Sequence, residues 1–117
     1  MTLRYDDALV EVSDLQGRKL TFAYDSAGRI ASASDGAGVA VTYAYDETTE
    51  AGRNADLVSA TYADGTSHRY SYNDRGYVEG NVALPHALTG IVDETGERFA
   101  SFWYDGEGRA IRSEHAN

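Results

Sequence analysis

Apolar and aromatic residues alternate with small or polar residues in several short segments of the chain. Successive side chains of a strand point to opposite faces, so Leu20, Phe22 and Tyr24 would share one face. Tyr70 and Tyr72 follow the same alternation. A third segment places four residues together: Val39, Val41, Tyr43 and Tyr45. This pattern predicts half-buried antiparallel strands with one aromatic face and one lighter face of small or polar residues.

The same pattern sets the number of elements. Strands are predicted at residues 8–12, 18–24, 29–34, 39–45, 56–62, 67–72, 76–79, 88–92, 97–104 and 109–113. No window has the periodicity of a long amphipathic helix. The stretch from Gly80 to Gly90, which contains the only proline, is expected to be the main irregular connection. The predicted fold is all-β, an antiparallel meander of short hairpins in a single domain of residues 1–117.

Four segments of the chain repeat one unit, in which an aspartate and a glycine precede a strand that ends in Tyr-Asp or Tyr-Asn. Three copies have the spacing Asp-x-x-Gly, and in the third copy Asp64 directly precedes Gly65. The distance from the glycine to the final tyrosine is 7, 7, 7 and 8 residues in the four copies. The longer last copy suggests a β-bulge near Ala100. The copies run from Asp14 to Asp25, from Asp35 to Asp46, from Asp64 to Asn73 and from Asp93 to Asp105.

A second motif, Tyr-Asp-x-x-Gly-Arg, follows the strand. It is degenerate in the third copy, where Asn73 and Tyr77 replace the aspartate and the arginine, and the Gly-Arg pair arrives late after Tyr45-Asp46, at 52–53. The aspartate can bond the backbone two residues on, and glycine supplies a left-handed conformation. Tyr-Asp is therefore predicted to end one strand and Gly-Arg to begin the next. Complete copies are Tyr24, Asp25, Gly28, Arg29 and Tyr104, Asp105, Gly108, Arg109.

These motifs resemble the Rhs, or YD-repeat (tyrosine-aspartate repeat), family over nearly the whole chain, as about four repeats. The resemblance implies a spiralling sheet of antiparallel hairpins. Many such repeats form a hollow shell in full-length family members. The shell encloses a C-terminal toxic domain in bacterial polymorphic toxins and insecticidal toxin complexes, and a related shell is displayed at cell surfaces in teneurins. The residues expected to specify the repeat are Tyr24, Asp25, Gly28, Arg29, Tyr45, Asp46, Tyr72, Tyr104, Asp105, Gly108 and Arg109.

The resemblance also implies partners and a location. The partners would be other YD repeats or an encapsulated C-terminal toxin domain, and the parent protein would be exported or displayed at a cell surface. Residues Met1 to Val10 contain no signal peptide pattern. Tyr5-Asp6 is expected to end a repeat whose earlier strand is missing, which would leave open sheet edges at both ends. Open edges template pairing, so homo-oligomers through these edges are expected.

The charge and the residue types narrow the function. The net charge of −9 disfavours nucleic acid and anionic membrane surfaces, and no apolar run approaches the roughly 18 residues of a membrane span. The chain has no cysteine, and its three histidines have no metal-site spacing. A calcium site needs about six to eight converging oxygens, so the aspartates are expected to cap turns. No catalytic or nucleotide-binding motif is present. The prediction is a non-enzyme without metal or cofactor.

The repeated tyrosines have two interpretations, as cross-strand core residues or as a sugar-stacking face. Trp103 takes the position that alanine or serine holds in the other copies, so it should point to the lighter face. Trp103 and Tyr62 are candidate ligand contacts, although Trp103 could instead be buried under the Gly80 to Gly90 connection. The function predicted first is a structural repeat of an encapsulating shell. The alternative is a cell-surface repeat that binds carbohydrate or protein.

Overall fold

The computed structural model describes residues 1–46 and 55–116, so the inserted stretch 47–51 and the late Gly-Arg pair at 52–53 lie outside the described part. Ten strands account for most of the described residues, in agreement with an all-β fold. They are β1 (Thr2–Asp6), β2 (Ala8–Ser13), β3 (Lys19–Tyr24), β4 (Ile30–Ser34), β5 (Val39–Tyr45), β6 (Leu57–Tyr62), β7 (Ser67–Tyr72), β8 (Leu88–Val92), β9 (Arg98–Tyr104) and β10 (Ala110–His115).

The chain divides into two compact units, Met1–Thr66 and Ser67–Asn117. In the first unit the strands lie in the order β1-β2-β3-β4-β5-β6, and each is antiparallel to the next. In the second unit the order is β7-β8-β9-β10, again antiparallel throughout. Both units are meanders, as the alternating pattern predicts. None of the described residues forms a helix that is long and apolar enough to cross a membrane.

One strand was not predicted, and one predicted strand is wrong. The strand that was not predicted is β1, which contains Tyr5-Asp6 and turns into β2 through Asp7 in the left-handed conformation (φ 61°). The strand predicted at 76–79 is absent, and 3-10 turns at Arg75–Tyr77 and Glu79–Asn81 take its place. A positive φ at Gly80 (71°) ends the extended conformation there, so Val78 makes only an isolated bridge to Tyr104.

Small residues are the most deeply buried part of each sheet. Ala33 lies opposite Phe22, Ala60 opposite Tyr43, and Ala100 opposite Ile91. A large side chain on one strand thus covers a small one on its neighbour. This cross-strand complementarity provides much of the packing available to a sheet that has few fully buried side chains.

The extra residue predicted near Ala100 is Phe99. Ile91 pairs with Ala100, and the next residue, Val92, pairs with Arg98, so the β9 strand bulges between them. A similar bulge occurs in β5, where Val39 pairs with Ser34 although Val41 pairs with Ala33. The alternation predicted for Val39 breaks at this bulge, and Val39 is half exposed.

A further set of bulges follows the tyrosines. In the strand after each terminal tyrosine, one residue is skipped in the pairing register. Between β1 and β2, for example, Arg4 pairs with Glu11 and Tyr5 pairs with Leu9, which leaves Val10 without a partner. A bulge of this kind bends the strand and raises its local twist. The skipped residues are Val10, Ala31, Val58, Thr89 and Ile111.

The phenol of a later tyrosine bonds the carbonyl that precedes a bulge. The Tyr24 hydroxyl donates to the Leu9 carbonyl oxygen at 2.6 Å, and the Tyr45 hydroxyl donates to that of Ile30 at 2.8 Å. In the second unit, the Tyr104 hydroxyl donates to the Leu88 carbonyl oxygen at 2.7 Å. The pairing of β2 with β3, of β4 with β5 and of β8 with β9 does not include these carbonyl residues. In each case the first paired residue of the bulged strand is the second residue after the carbonyl. The phenol thus replaces a ladder hydrogen bond that the bulge removes.

We predict that Tyr24→Phe lowers the free energy of unfolding by about 1–2 kcal/mol, because the half-buried Leu9 carbonyl loses its donor. Tyr5→Phe is the matched control. Tyr5 holds the same motif position but is 64% exposed, and its phenol makes no hydrogen bond among the described residues. Urea unfolding at low protein concentration measures both variants. Equal losses in the two variants would contradict the role given to the phenol.

Candidate functional site

The aspartate of each complete turn motif stabilises its own turn through hydrogen bonds. Asp25 Oδ1 accepts hydrogen bonds from the backbone N–H groups of Ala27 (2.9 Å) and Arg29 (3.0 Å). Its Oδ2 accepts a bond from Arg29 Nε at 2.7 Å. Gly28 has a φ of 81°, which few other residues adopt at low cost. The residue types of the motif therefore match the geometry of the turn, as predicted from the spacing.

The second complete motif repeats these contacts. Asp105 accepts bonds from the N–H groups of Glu107 (2.9 Å) and Arg109 (3.0 Å) and from Arg109 Nε (2.7 Å). Gly108 again has a left-handed conformation, with φ 85°. Asp14 makes the equivalent bonds in a turn that has no preceding tyrosine. These hydrogen bonds thus depend on the Asp-x-x-Gly-Arg sequence and not on the tyrosine.

Hydrogen bonding lowers the pKa of these carboxyl groups. The Arg29 backbone N–H is the largest cause for Asp25, and the Arg109 N–H is the largest cause for Asp105. Donation by a threonine hydroxyl does the same for Asp64 and Asp93. These groups are thus held in the ionised form, as acceptors within turns. Among the described residues, no group of three or more His, Cys, Asp or Glu side chains could hold a metal ion.

The remaining predicted repeat residues lie at strand ends. Tyr45 is half buried beneath the Arg29 guanidinium, which lies 4.6 Å from the ring centroid, and burial raises the pKa of Tyr45. Its neighbour Asp46 donates its backbone N–H to the Asp56 carbonyl at 2.9 Å. Tyr72 ends β7 and is also half buried.

Asn73, which replaces the aspartate of the complete turn motifs, has a structural role. Asn73 adopts a left-handed conformation (φ 56°), which asparagine tolerates better than most residues. Its Oδ1 accepts a hydrogen bond from the Leu84 N–H at 2.8 Å, and its own N–H donates to the Ala87 carbonyl at 3.0 Å. Asn73 therefore anchors the irregular connection predicted between Gly80 and Gly90.

A polar cluster forms where the third turn motif departs from the consensus. Thr89, the skipped residue of β8, is fully buried, and its hydroxyl lies 2.8 Å from Asp74 Oδ2. Arg98 Nη2 donates to the Thr89 carbonyl oxygen at 2.7 Å and to Asp74 Oδ2 at 3.2 Å. Arg98 Nε donates to Ser101 Oγ at 2.9 Å. We call Asp74, Thr89, Arg98 and Ser101 the Arg98 cluster.

Two aromatic rings, tilted by 41° to each other, lie between two arginines beside this cluster. The Arg98 guanidinium lies 4.3 Å from the Tyr77 ring centroid, and the centroids of Tyr77 and Trp103 are 4.9 Å apart. The Arg112 guanidinium lies 4.4 Å from the Trp103 centroid on the neighbouring strand. Trp103 is therefore half buried, with Tyr77 and Arg112 against its ring.

The sequence reasoning did not find the Arg98 cluster. Its only signal is the presence of Tyr77 where the complete motifs have arginine, together with Trp103 on the lighter face. Asp74 and Thr89 carry no motif of their own, and they meet Arg98 only through the pairing of β7, β8 and β9.

The two candidate ligand contacts lie in different units. Tyr62 ends β6 in the first unit, pairs with Val41 and is 37% exposed. It borders a shallow groove with Asp35, Gly38 and Asp64. Trp103 belongs to the second unit. Their role as ligand contacts stays a prediction.

The antiparallel meander with tyrosine-aspartate turns defines a class of repeated β-sheet protein. The model of the RHS Repeat family matches residues 5–40, which extend from the end of β1 into β5 and include the first complete motif. No curated protein matches the chain. Residues 5–40 thus form an Rhs/YD-repeat segment, as predicted from the motifs.

We predict that Gly90→Ala destabilises the second unit by about 1–3 kcal/mol, because a Cβ there would overlap Arg98 Nη2 and would displace the guanidinium from its acceptors. Gly76→Ala is the matched control, since its Cβ would have no atom within 4 Å. Urea unfolding followed by Trp103 fluorescence reports the difference. A Gly90→Ala variant as stable as Gly76→Ala would show that the Arg98 cluster contributes little.

Proposed function

We propose that the chain is a non-enzymatic wall segment of a YD-repeat shell, and that the shell encloses a toxic or otherwise unstable C-terminal domain of a bacterial secreted protein. The observation that carries the proposal is the recurrence of one structural unit. In that unit, one strand ends at a tyrosine and the next strand contains a bulge. The phenol of a later tyrosine then donates a hydrogen bond to the carbonyl that precedes the bulge.

This unit suits a wall because it bends the sheet at a repeated position. A bulge in every second strand adds twist and curvature at the same level of each hairpin. Stacked repeats interact mainly with their neighbours, so a long array accumulates the same small bend many times. A shell can therefore be built from hairpins like those of β1 to β4 without a separate scaffold.

The ionisation and hydrogen bonding of the motif aspartates support a structural role without catalysis. A general acid or base works best with a pKa near the working pH. In Asp25 and Asp105 the turn bonds lower the pKa instead, and each carboxylate already accepts three hydrogen bonds. Arg29 and Arg109 are likewise engaged by these aspartates. The motif residues thus stabilise turns.

The alternative of a carbohydrate-binding repeat has less support. A sugar that stacks on an aromatic ring needs an open ring face. The Tyr77 ring and the Arg112 guanidinium both contact Trp103. Tyr62, in the other unit, is the more exposed candidate.

Protease protection tests the encapsulating role. The reading frame that contains this chain would be expressed together with any downstream domain, and the cleavage of that domain would be followed over time. We expect protection of the domain, and faster cleavage when Tyr24, Tyr45 and Tyr104 are all changed to phenylalanine, because the wall then loses its phenol bonds. Tyr43→Phe is the control, because the Tyr43 phenol lies on the same strand as Tyr45 and makes no hydrogen bond among the described residues, so the change should leave protection unchanged. Equal cleavage with intact and altered walls would contradict the proposal.

A further inference from the structure

Strands of two kinds alternate in each unit. We call β1, β3, β5, β7 and β9 tyrosine strands because each ends at a Tyr-Asp or Tyr-Asn pair, and we call β2, β4, β6, β8 and β10 bulged strands because each contains a skipped residue. A bulged strand also pairs with the tyrosine strand that follows it in the chain, and within the two units this occurs at three internal joints, β2 with β3, β4 with β5, and β8 with β9.

The three joints have one register. At each of them, the carbonyl before the bulge accepts the phenol of the tyrosine strand. In the first residue pair of each joint, the residue on the bulged strand is the second one after the carbonyl residue. Its partner on the tyrosine strand is the third residue before the tyrosine. Each joint contains three residue pairs, and the first pairs are Glu11 with Thr21, Ser32 with Thr42, and Gly90 with Ser101.

Two strands, β1 and β10, carry the residues that form such a joint, and each has one edge that is not paired within its unit. β10 is a bulged strand that pairs with β9 on one side only within its unit, and all its residues are exposed. β1 is a tyrosine strand that pairs with β2 on one side only, and it is exposed throughout. Ala110 precedes the bulge at Ile111, so its carbonyl is equivalent to those of Leu9, Ile30 and Leu88.

The sequence of β1 matches the tyrosine strands at the positions that form a joint. The first paired residue in the three internal joints is a threonine or a serine, three residues before the tyrosine. Thr2 holds this position relative to Tyr5. The Tyr5 phenol is 64% exposed and has no hydrogen-bond partner among the described residues. β1 thus carries both the hydroxyl residue and the phenol that a bulged strand requires.

We propose that β10 of one copy pairs antiparallel with β1 of a second copy, in the register of the internal joints. Arg112 then lies opposite Thr2 of the second copy, and the Tyr5 phenol of that copy donates to the Ala110 carbonyl oxygen. The contact joins two different surfaces, so it is heterologous and can add copies in one direction. This inference rests on the proposed function of a wall segment, because the joint is the one that would extend the wall.

The joint is expected to be weak. In this register the pairs are Arg112 with Thr2 and Ser113 with Met1, and both strands are exposed throughout. Two copies must also lose translational freedom to form it. Association should therefore depend on concentration, and covalent trapping is the suitable readout.

Cysteine trapping reads the register directly because the chain has no cysteine of its own. Cα atoms of directly opposed antiparallel residues are about 4.5–5.5 Å apart, within the range of about 4.4–6.8 Å that a disulfide spans. Thr2→Cys and Arg112→Cys copies, made separately and tagged differently, would be mixed and oxidised. We expect mixed disulfide dimers to exceed each homodimer by far more than the twofold ratio that random oxidation of an equimolar mixture gives, and a doubly substituted chain to form a ladder of longer covalent oligomers.

Two controls test the register and the phenol. Leu3→Cys with Arg112→Cys should form mixed dimers at least several-fold more slowly, since Leu3 belongs to the other face of β1. Adding Tyr5→Phe to the Thr2→Cys copy should slow trapping by about three- to tenfold, as expected for one lost hydrogen bond. Predominant homodimers, trapping as fast at Leu3 as at Thr2, or no mixed dimers would each overturn the proposal.

The outcome is separable from that of the wall function. Trapping measures only the edges of isolated copies, whereas protease protection measures whether repeats shield a downstream domain. Protection without mixed dimers would reject the joint between copies and keep the wall role. Mixed dimers without protection would reject encapsulation and keep the joint.

Discussion

The hydrogen bond from a tyrosine phenol to the carbonyl before a bulge is the interaction on which the sheet depends. A bulge separates a strand from its next neighbour, and an unsatisfied, partly buried carbonyl costs about 1–3 kcal/mol. Tyrosine is the residue that can both pack against the sheet and place a donor at this distance. The bonds of Tyr24, Tyr45 and Tyr104 therefore allow repeated bulges without loss of pairing elsewhere.

The turns make this arrangement repeatable. Each phenol must lie at a fixed distance from the preceding bulge, so the connection between strands has to hold its register. Asp25 and Asp105 do so by accepting bonds from the backbone and from the arginine that begins the next strand. Where the motif degenerates, Asn73 and the Arg98 cluster provide other bonds. The repeat thus tolerates variation in its side chains when another donor or acceptor replaces the lost one.

Much of the fold follows from the sequence alone, because alternation and turn motifs are local. The boundaries of β3, β5 and β7 agree with the predicted strands within one residue. The bulges after the tyrosines were not predicted, since the skipped residues share no residue type. The strand predicted at 76–79 was wrong because a local pattern does not show that Tyr77 contacts Trp103. The Arg98 cluster likewise forms only through strand pairing.

Direct observation of the phenol protons tests the central claim most directly. In a nuclear magnetic resonance spectrum of the chain with labelled tyrosine, hydroxyl protons in lasting hydrogen bonds exchange slowly with water. The account predicts observable, slowly exchanging hydroxyl protons for Tyr24, Tyr45 and Tyr104, and rapid exchange for Tyr5 in dilute solution. Rapid exchange at all four tyrosines would contradict the claim that phenols replace the hydrogen bonds lost at the bulges.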